Sequence, residues 1–487
     1  MKNRIIKFNL LILIFNLLSF SRSNIIFSKD SGFYSEEFLL TLHTSYENSK
    51  IYYTLDVNDP TNSTFSKEYN EPILIKDRTD EPNIYSNYEE DKNSSISISL
   101  NLNYKKPSFL VDKAMVVRAV LKYYNNTYDK IIDKTYFITT QDLSKYEQYT
   151  VISLVTNPEN FFGPDKGIYV TGSSYIPNKD NYCINCNYIN RGKEWERESH
   201  ITIFEKGIVS IDENVGVRIK GASSRNFPQK SFNIYFRKIY GKKNIISDNL
   251  LPENVDINGN KINKYDAFSL KGVSGETTFR DKFSNKLIHG RKLLSSSDMK
   301  STVLFLNGEF WGMYIINEKF SEKFFQSHYN IPKEDIVLIK NYKIESGTDD
   351  DLTNIIKFMT LYSQKDLSDL KNYNDVCDII DIESMIEHYA AGIYLGIVDW
   401  HNLNFGIWKN KGNKIENNLY SDGKWRFITF DLDYSIIYDY EQFVTNDEGY
   451  KFDKFEELKN FKEYPPTSLF ISLFKNEDFK KKIYKYI

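Results

Sequence analysis

The sequence predicts an α+β fold in which a small all-β module precedes a larger body of mixed strands and helices. Short apolar segments separated by turn residues fill the chain up to about residue 140, and this pattern is typical of a β-sandwich. From about residue 149 onward, strand-like alternation and helical spacing of apolar residues both occur. Hydrophobic residues make up 41% and aromatic residues 15% of the 487 residues, which is enough to build large cores.

Charge and cysteine content exclude several classes of protein. The 63 basic and 66 acidic residues give a formal net charge of −3, so the chain lacks the basic footprint of a nucleic-acid-binding protein. Three cysteines are too few for a disulfide-rich miniprotein or a multi-finger zinc protein. No GxxxxGK[ST] or GxGxxG motif occurs, so neither a P-loop ATPase nor a Rossmann enzyme is indicated.

Residues 1–23 have the layout of a secretory signal peptide. Three basic residues precede an apolar run from residue 10 to 20, and Ser21 and Ser23 offer small residues before a cleavage point. The alternative is a short membrane anchor, but the run is shorter than the ~20 residues that span a bilayer. We therefore expect a secreted or cell-surface protein with no transmembrane segment after signal cleavage.

The predicted β-module covers residues 24–140 and carries no candidate catalytic residue. Three Asn-x-Ser/Thr triplets, at Asn62, Asn93 and Asn125, all fall within it, agree with export and predict a glycoprotein. The best strand candidates are 38–42, 51–55, 96–100 and 115–120.

The second body contains a hairpin signal and two amphipathic helices. Asn307-Gly308 lies between two apolar segments, which is a strong indication of a tight β-turn. Apolar residues that recur every three or four positions indicate the helices. We expect strands at 215–220, 231–237, 302–306 and 313–316, and helices at 278–289 and 383–398.

A loop of small residues, from Gly221 to Lys230, joins two of the predicted strands. Backbone N–H groups and hydroxyls of such a loop can reach phosphates, while a lysine offsets their charge. Taken alone, an ordinary hairpin with a surface lysine is the more common explanation of this pattern.

Two acidic clusters follow along the chain. Asp399 and Asn404 have the D-x-x-x-x-N spacing in which an aspartate accepts a proton from a hydroxyl and an asparagine binds a metal. Asp431 and Asp433 end the strand-like segment 425–430, where carboxylates are costly unless they hold a cation such as Mg²⁺. Each aspartate alone could cap a turn, but the joint order of lysine loop, hairpin, D-x-x-x-x-N and aspartate favours chemistry.

These stretches resemble the CotH kinases, secreted relatives of the protein-kinase fold named for a spore coat protein. The resemblance spans about residue 151 to the C terminus, and its five ordered segments are 218–231, 276–280, 306–318, 399–404 and 430–433. It implies a two-lobed, protein kinase-like domain, predicted over 149–487. Such a domain uses ATP and Mg²⁺ or Mn²⁺ to phosphorylate serine on a secreted, coat or cell-surface protein. Because the sequence ends inside a predicted helix, we expect the domain to be truncated at its C terminus.

The same resemblance assigns roles to the candidate residues by position. Asp399 would be the catalytic base. The metal would be held by Asn404, Asp431 and Asp433. The nucleotide would be bound by Ser223, Ser224, Arg225 and Lys230, with Lys230 on the phosphates, and by Glu318, which follows the hairpin where the family's nucleotide hinge lies.

The β-module also resembles a known domain. Its segment 51–56, followed by Asp59-Pro60-Thr61, is similar to the small β-sandwich at the C terminus of chitobiases, with Val57 in place of the usual glycine. Such modules are usually accessory or spacer domains, so the resemblance implies no catalysis there.

Three classes of function remain open from the sequence. A secreted kinase explains all the ordered motifs, and a surface binding or adhesion protein of the same fold without activity, associated with a cell wall or coat, is the alternative. A glycosyltransferase that uses Asp431-Leu432-Asp433 would lack its nucleotide-sugar half. The intact Asp399, Asn404 and Asp431 favour the kinase.

The pair Cys183 and Cys186 indicates a local disulfide or free thiols rather than half of a zinc site.

Overall fold

The computed structural model describes residues 24–87, 98, 105–138, 144–176, 183–272, 280–291, 293–401, 403–436 and 453–486. It confirms the α+β class, with strands only in the first part of the chain and both strands and helices later. The chain forms two compact units. The first contains residues up to 230 together with 235–243 and 302–313, and the second contains 231–234, 244–301 and the rest from 314.

The predicted β-module is a set of short, turn-linked strands. The strands are β1 (Ile26–Phe27), β2 (Gly32–Tyr34), β3 (Phe38–Leu40), β4 (Leu42–His43), β5 (Ser49–Thr54), β6 (Lys67–Glu68), β7 (Ile73–Ile75), β8 (Met115–Tyr123) and β9 (Ile132–Ile138). The largest sheet has five strands in the order β2-β9-β8-β5-β6, and β1 pairs with β4 and β3 with β7. Only residue 98 of the strand predicted at 96–100 is among the described residues. Asn93 and the predicted signal peptide lie outside them.

A turn that normally needs glycine is built here with valine. Val57 has a φ of +57°, a conformation that β-branched residues rarely adopt. Its carbonyl accepts a hydrogen bond from Arg118 at 2.8 Å, and Arg118 is itself paired with Asp133. The buried arginine therefore holds the turn in place.

The β-module shares a core with the strands that follow it in the first unit. Phe137 of β9 stacks on Phe33 with ring centres 4.4 Å apart and meets Phe204 and Phe305 edge-on. Phe137 is completely buried. The boundary predicted near residue 140 therefore divides the sequence but not the hydrophobic core.

Glu309 makes a second connection to the module. Its carboxylate accepts hydrogen bonds from the backbone N–H groups of Ile84, Tyr85 and Ser86 at 2.6–3.0 Å. The adjacent Gly308 carbonyl accepts one from the backbone of Ala114 at 2.7 Å. A carboxylate that is 2% exposed and has these donors fixes the module segment 84–86 to the hairpin.

The remaining strands follow residue 149. They are β10 (Thr150–Val155), β11 (Arg197–Glu205), β12 (Ile208–Lys220), β13 (Ser231–Tyr235), β14 (Ile245–Ile246), β15 (Lys264–Tyr265), β16 (Ala267–Gly272), β17 (Met299–Leu306), β18 (Glu309–Asn317), β19 (Ile336–Lys340), β20 (Lys343–Ser346), β21 (Gly406–Asn410) and β22 (Arg426–Phe427). In the first unit the strand order is β17-β10-β11-β12, with β17 parallel to β10 and the other neighbours antiparallel. The second unit contains a four-stranded sheet in the order β20-β19-β21-β22.

Most helices belong to the second unit. The helices of the first unit are α1 (Ser144–Glu147) and α2 (Pro158–Phe162). Those of the second unit are α3 (Arg280–Ile288), α4 (Glu322–Tyr329), α5 (Asp349–Ser363), α6 (Leu370–Ile379), α7 (Ile382–Tyr394), α8 (Lys454–Leu458), α9 (Pro465–Leu473) and α10 (Glu477–Ile483). Buried apolar residues of α5, α7, α9 and α10 share one core with β19, β21 and β22. Among the described residues, no helix combines the length and apolar character needed to cross a bilayer.

The predicted hairpin and both predicted helices are present, with shifted ends. Asn307 and Gly308 have φ values of +52° and +85°, as expected for the turn between β17 and β18. The helix predicted at 383–398 ends earlier, at Tyr394, because Gly396 adopts a φ of +59° and closes the helix. Asp399, which the sequence places just beyond this helix, lies on the loop that follows α7.

Candidate active site

Polar side chains from several chain segments of the second unit lie close enough to interact electrostatically. Lys271 lies near the end of β16, Asp281 in the first turn of α3, and Asp399 just after α7. Asp431 and Asp433 follow β22. The second unit thus brings the two predicted aspartate clusters together with a lysine and an aspartate that the sequence analysis did not single out.

Lys271 is the cation at the centre of this cluster. Its Nζ lies 2.5 Å from Asp281 Oδ2, 2.6 Å from Asp431 Oδ1 and 3.6 Å from Asp433 Oδ2. The side chain is 18% exposed, whereas that of Asp431 is 47% exposed. The three carboxylates raise the pKa of Lys271 well above its usual value despite the opposing effect of burial, so the ammonium stays charged.

Short-range contacts hold the segment 431–435 against α3. The backbone N–H of Leu432 donates to Asp281 Oδ1 at 2.9 Å, and the hydroxyls of Ser284 and Ser435 are 2.6 Å apart. Asp431 has a φ of +62°, an uncommon conformation for aspartate. This conformation and the contacts of its neighbours fix the point at which the Asp431 carboxylate leaves the chain.

Asp399 and Asn404 form a closed loop after α7. The backbone N–H groups of Leu403 and Asn404 both donate to the carbonyl of Asp399 at 3.2 Å. The side-chain N–H of Asn404 donates to Asp399 Oδ2 at 3.0 Å. The amide oxygen of Asn404 takes no part in this hydrogen bond. Asp399 Oδ1 is buried and has no hydrogen-bond partner among the described residues.

Burial and mutual repulsion change the pKa values of these aspartates. Burial, with the charges of Asp431 and Asp433, raises the pKa of Asp399 to about 7. Burial likewise raises the pKa of Asp433 to about 6, where repulsion from Asp431 and Asp281 adds to the shift and Lys271 opposes it. The cluster therefore contains more negative charge than its lysine offsets.

The donor set fits a hard divalent cation in its chemistry. Asp431 and Asp433 offer carboxylate oxygens and Asn404 an amide oxygen, which are the ligands that Mg²⁺ and Mn²⁺ prefer. The unpartnered Asp399 Oδ1 and the raised pKa values are consistent with a site short of positive charge. No three His, Cys, Asp or Glu side chains form a ready-made metal centre in the part of the chain that the structure describes.

Lys230 has a different environment from the one predicted for a phosphate ligand. It is completely buried, and its Nζ donates to the carbonyls of Arg225 at 2.7 Å and Phe227 at 3.0 Å. The ammonium also lies 3.8 Å from the ring centre of Tyr188. Burial, with the nearby Arg225 charge, lowers the pKa of Lys230 well below its usual value. In this geometry the lysine supports its own loop, and its contact with the phosphates stays a prediction.

Arg225 also holds the loop from within. Its guanidinium donates to the carbonyls of Gly221, Tyr188, Asn190 and Ile219 at 2.6–3.0 Å, and its side chain is buried. This set of contacts differs from the predicted nucleotide contact. Ser223 is exposed and Ser224 is partly exposed on the short 3-10 turn Ser223–Asn226. A ligand can therefore reach both serines, and their nucleotide contact stays a prediction.

Glu318 is engaged by its own protein. Its carboxylate accepts hydrogen bonds from Asn254 Nδ2 at 2.9 Å and lies 2.8 Å from His328 Nε2. The side chain is 9% exposed. This pairing ties the end of β18 to α4, and the nucleotide contact of Glu318 stays a prediction.

Lys271 and Asp281 are the functional candidates that the sequence analysis missed. The available signal was a lysine near the end of a strand that contains Phe268 and Leu270, followed by a helix with an aspartate in its first turn. Residues 273–279, which include the family-like segment around Glu276, lie outside the described residues. Cys183 and Cys186 form a disulfide, one of the two outcomes that the sequence left open.

Comparison with known proteins identifies two regions of the chain. The family described as CotH kinase protein matches residues 217–487, which is more than half of the chain. The family described as Fn3 associated matches residues 40–136, inside the predicted β-module. No curated protein matches the chain.

Proposed function

The chain belongs to the CotH kinase protein family, and from this premise we propose that it is a secreted atypical protein kinase. It transfers the γ-phosphate of ATP to serine on a secreted, coat or cell-surface protein. The observation that carries the proposal is the meeting of Lys271, Asp281 and Asp431 from three separate segments of the second unit. Protein kinases use a lysine that is paired with an acid of a helix and set beside a metal-binding aspartate.

Lys271 and Asp281 would act on the phosphate chain as a pair. The ammonium offsets phosphate charge, and Asp281 fixes its position through the 2.5 Å contact. Because Asp281 also accepts the backbone N–H of Leu432, the lysine and the segment that carries Asp431 are positioned by the same carboxylate.

Asp431, Asn404 and Asp433 would hold a Mg²⁺ or Mn²⁺ ion. Such an ion, when bound, offsets the charge on the β- and γ-phosphate oxygens. The Asp431 side chain is about half exposed, so a cation can approach it from solvent.

Asp399 would act as the general base. Its carboxylate accepts the proton of the serine hydroxyl while the serine oxygen bonds to the γ-phosphorus and the bond from that phosphorus to the ADP oxygen breaks. A base works best when its pKa lies near the working pH, and the pKa of Asp399 is raised to about 7. The hydrogen bond from Asn404 orients the carboxylate for this step.

The proposed location is the secretory pathway and the extracellular space or cell surface. The signal-like residues 1–23 and the triplets at Asn62 and Asn125 support this proposal, and both asparagines are exposed. The protein substrate would therefore be secreted, part of a coat or wall, or displayed on the cell surface.

The test is metal-dependent binding and transfer on the secreted chain. We expect ATP with Mg²⁺ or Mn²⁺, but not UDP-sugars, to raise the melting temperature, and labelled phosphate to appear on serine of the chain itself or of casein. Asp431→Asn should lose both effects. Asp399→Asn should keep ATP binding and lose roughly 10²–10⁴ in rate.

The matched control is Asp350→Asn, which removes an exposed aspartate at the start of α5. It should behave like the wild type in both assays. A wild type that ATP does not stabilise with any divalent cation would favour the alternative, a surface binding or adhesion protein of the same family.

A further inference from the structure

Lys340 is a partly buried lysine near the proposed site. It ends β19 and pairs across the sheet with Gly406, which follows the Asp399–Asn404 loop. The backbone N–H of Ile428 donates to the Gly406 carbonyl at 2.9 Å, so the chain leading to Asp431 passes beside the same strand end. The sheet therefore places Lys340 at the edge where the proposed catalytic loop and the metal-binding segment leave it.

The Lys340 ammonium lies against aromatic rings. Its Nζ is 4.5 Å from the ring centre of Phe430 and 6.0 Å from that of Phe320. Phe430 directly precedes Asp431, and it packs so closely on Gly406 that a Cβ there would meet its ring at 2.9 Å. These contacts set the position of the ammonium relative to the turn that carries Asp431.

No carboxylate or carbonyl of the described residues forms an ion pair or hydrogen bond with Lys340 Nζ. The comparable ammonium groups of Lys271 and Lys230 have three carboxylates and two carbonyls, respectively. Burial lowers the pKa of Lys340 and the charges of Glu345 and Asp431 only partly oppose this shift. A desolvated ammonium held only by aromatic faces is costly unless an anion binds to it.

We propose that Lys340 is a second phosphate-binding cation of this site and that its ligand is the polyphosphate chain of the nucleotide. This inference rests on the proposed function, because it is the nucleotide that brings an anion to this edge of the sheet. Lys271 is paired with carboxylates, whereas the Lys340 ammonium has no such partner among the described residues and is available to an anionic ligand. The two lysines act on the nucleotide from different strands, β16 and β19.

The experiment compares Lys340→Met with the wild type for binding of ATP, adenosine and inorganic tripolyphosphate, each with Mn²⁺. A lost charged hydrogen bond should weaken ATP and tripolyphosphate about tenfold or more, with adenosine within about twofold. Lys340→Arg should restore most of the ATP affinity. Without ligand, Lys340→Met should melt at the same or a higher temperature, since it removes a charge with no partner.

The control variant is Lys343→Met, which removes an exposed lysine of β20 and should bind all three ligands as the wild type does. Equal ATP affinity in Lys340→Met and wild type would overturn the inference, and so would an equal loss for adenosine. Wild type that binds tripolyphosphate through Lys340 but not ATP would contradict the proposed kinase while supporting the anion site. A wild-type protein that binds neither ATP nor tripolyphosphate would overturn both the proposed function and this inference.

Discussion

The ammonium of Lys271 lies 2.6 Å from a carboxylate oxygen of Asp431, although 160 residues separate the two in sequence. Asp281 approaches the same ammonium from α3 at 2.5 Å. One lysine thus compensates acids from two other parts of the second unit, and the arrangement of the candidate site depends on it.

We expect Lys271→Met to destabilise the second unit by roughly 3–5 kcal/mol, because it leaves the buried carboxylate of Asp281 near Asp431 and Asp433 with no cation between them. Urea unfolding followed by tryptophan fluorescence measures this change, since Trp400, Trp408 and Trp425 all lie in that unit. ATP binding should also be lost.

Lys286→Met is the matched control for this prediction. Lys286 lies on the same helix, α3, but its side chain is 59% exposed and its ion pair with Glu253 is on the surface. Removing it should cost about 0–1 kcal/mol. Equal stability of Lys271→Met and Lys286→Met would contradict the central role of Lys271.

The raised pKa of Asp399 predicts a pH-dependent stability. Its pKa is about 7 in the folded protein, above the usual aspartate value, so the folded state loses stability as the pH rises from about 4 through 7. We expect metal-free Asp399→Asn to melt above the wild type at pH 8, with a difference that shrinks as the pH falls toward 4. Melting curves in chelator between pH 4 and 8 provide the measurement. A difference that does not change with pH would rule out this origin, and Asp350→Asn should show no such trend.

The environment of Lys230 predicts a loop defect rather than a simple loss of ligand contact. Lys230→Met leaves two carbonyls of the loop without their donor and should cost about 1–3 kcal/mol. Hydrogen exchange in residues 222–230 should become faster, while ATP binding should fall less than in Lys271→Met.

Lys238→Met, which removes an exposed lysine after β13, should leave exchange in the loop unchanged. If Lys230→Met abolishes ATP binding without faster exchange, Lys230 is the phosphate contact that the sequence predicts.

The shared aromatic core predicts that the β-module and the later strands of the first unit lose stability together. Phe137→Ala should cost roughly 3–5 kcal/mol, because the ring is completely buried against Phe33, Phe204 and Phe305. Hydrogen exchange should increase in β10 as well as in β9. Phe65→Ala, at a residue that is 68% exposed, should have little effect. Faster exchange in β9 alone would show that the module unfolds independently.

Local features of the fold were predictable from the sequence. The turn at Asn307-Gly308 needs two residues with positive φ, and this requirement is visible in the residue types themselves. The apolar spacing of 383–398 likewise located α7, but not its end, because the spacing continues past Gly396 while the backbone does not. The candidate aspartates were found because their spacing is itself local.

The centre of the site was not predictable in the same way. The local signal for Lys271 is weak, and its role is recognised only from partners that are 10 and 160 residues away. Lys230 was the more obvious lysine because it ends a loop of small residues. The sequence could not reveal that the carbonyls of Arg225 and Phe227 in that same loop accept its hydrogen bonds.

The disulfide between Cys183 and Cys186 makes the choice of expression host important. Cys186 directly precedes the short turn Asn187–Ile189, in which the Tyr188 carbonyl accepts a hydrogen bond from Arg225 and the Tyr188 ring covers Lys230. A reducing cytosol keeps the two thiols reduced, whereas an oxidising lumen allows the disulfide to form. Protein made in the bacterial cytosol would therefore lack this disulfide next to the contacts that support residues 221–230. Recombinant batches from the two compartments should be compared before any activity is assigned or denied.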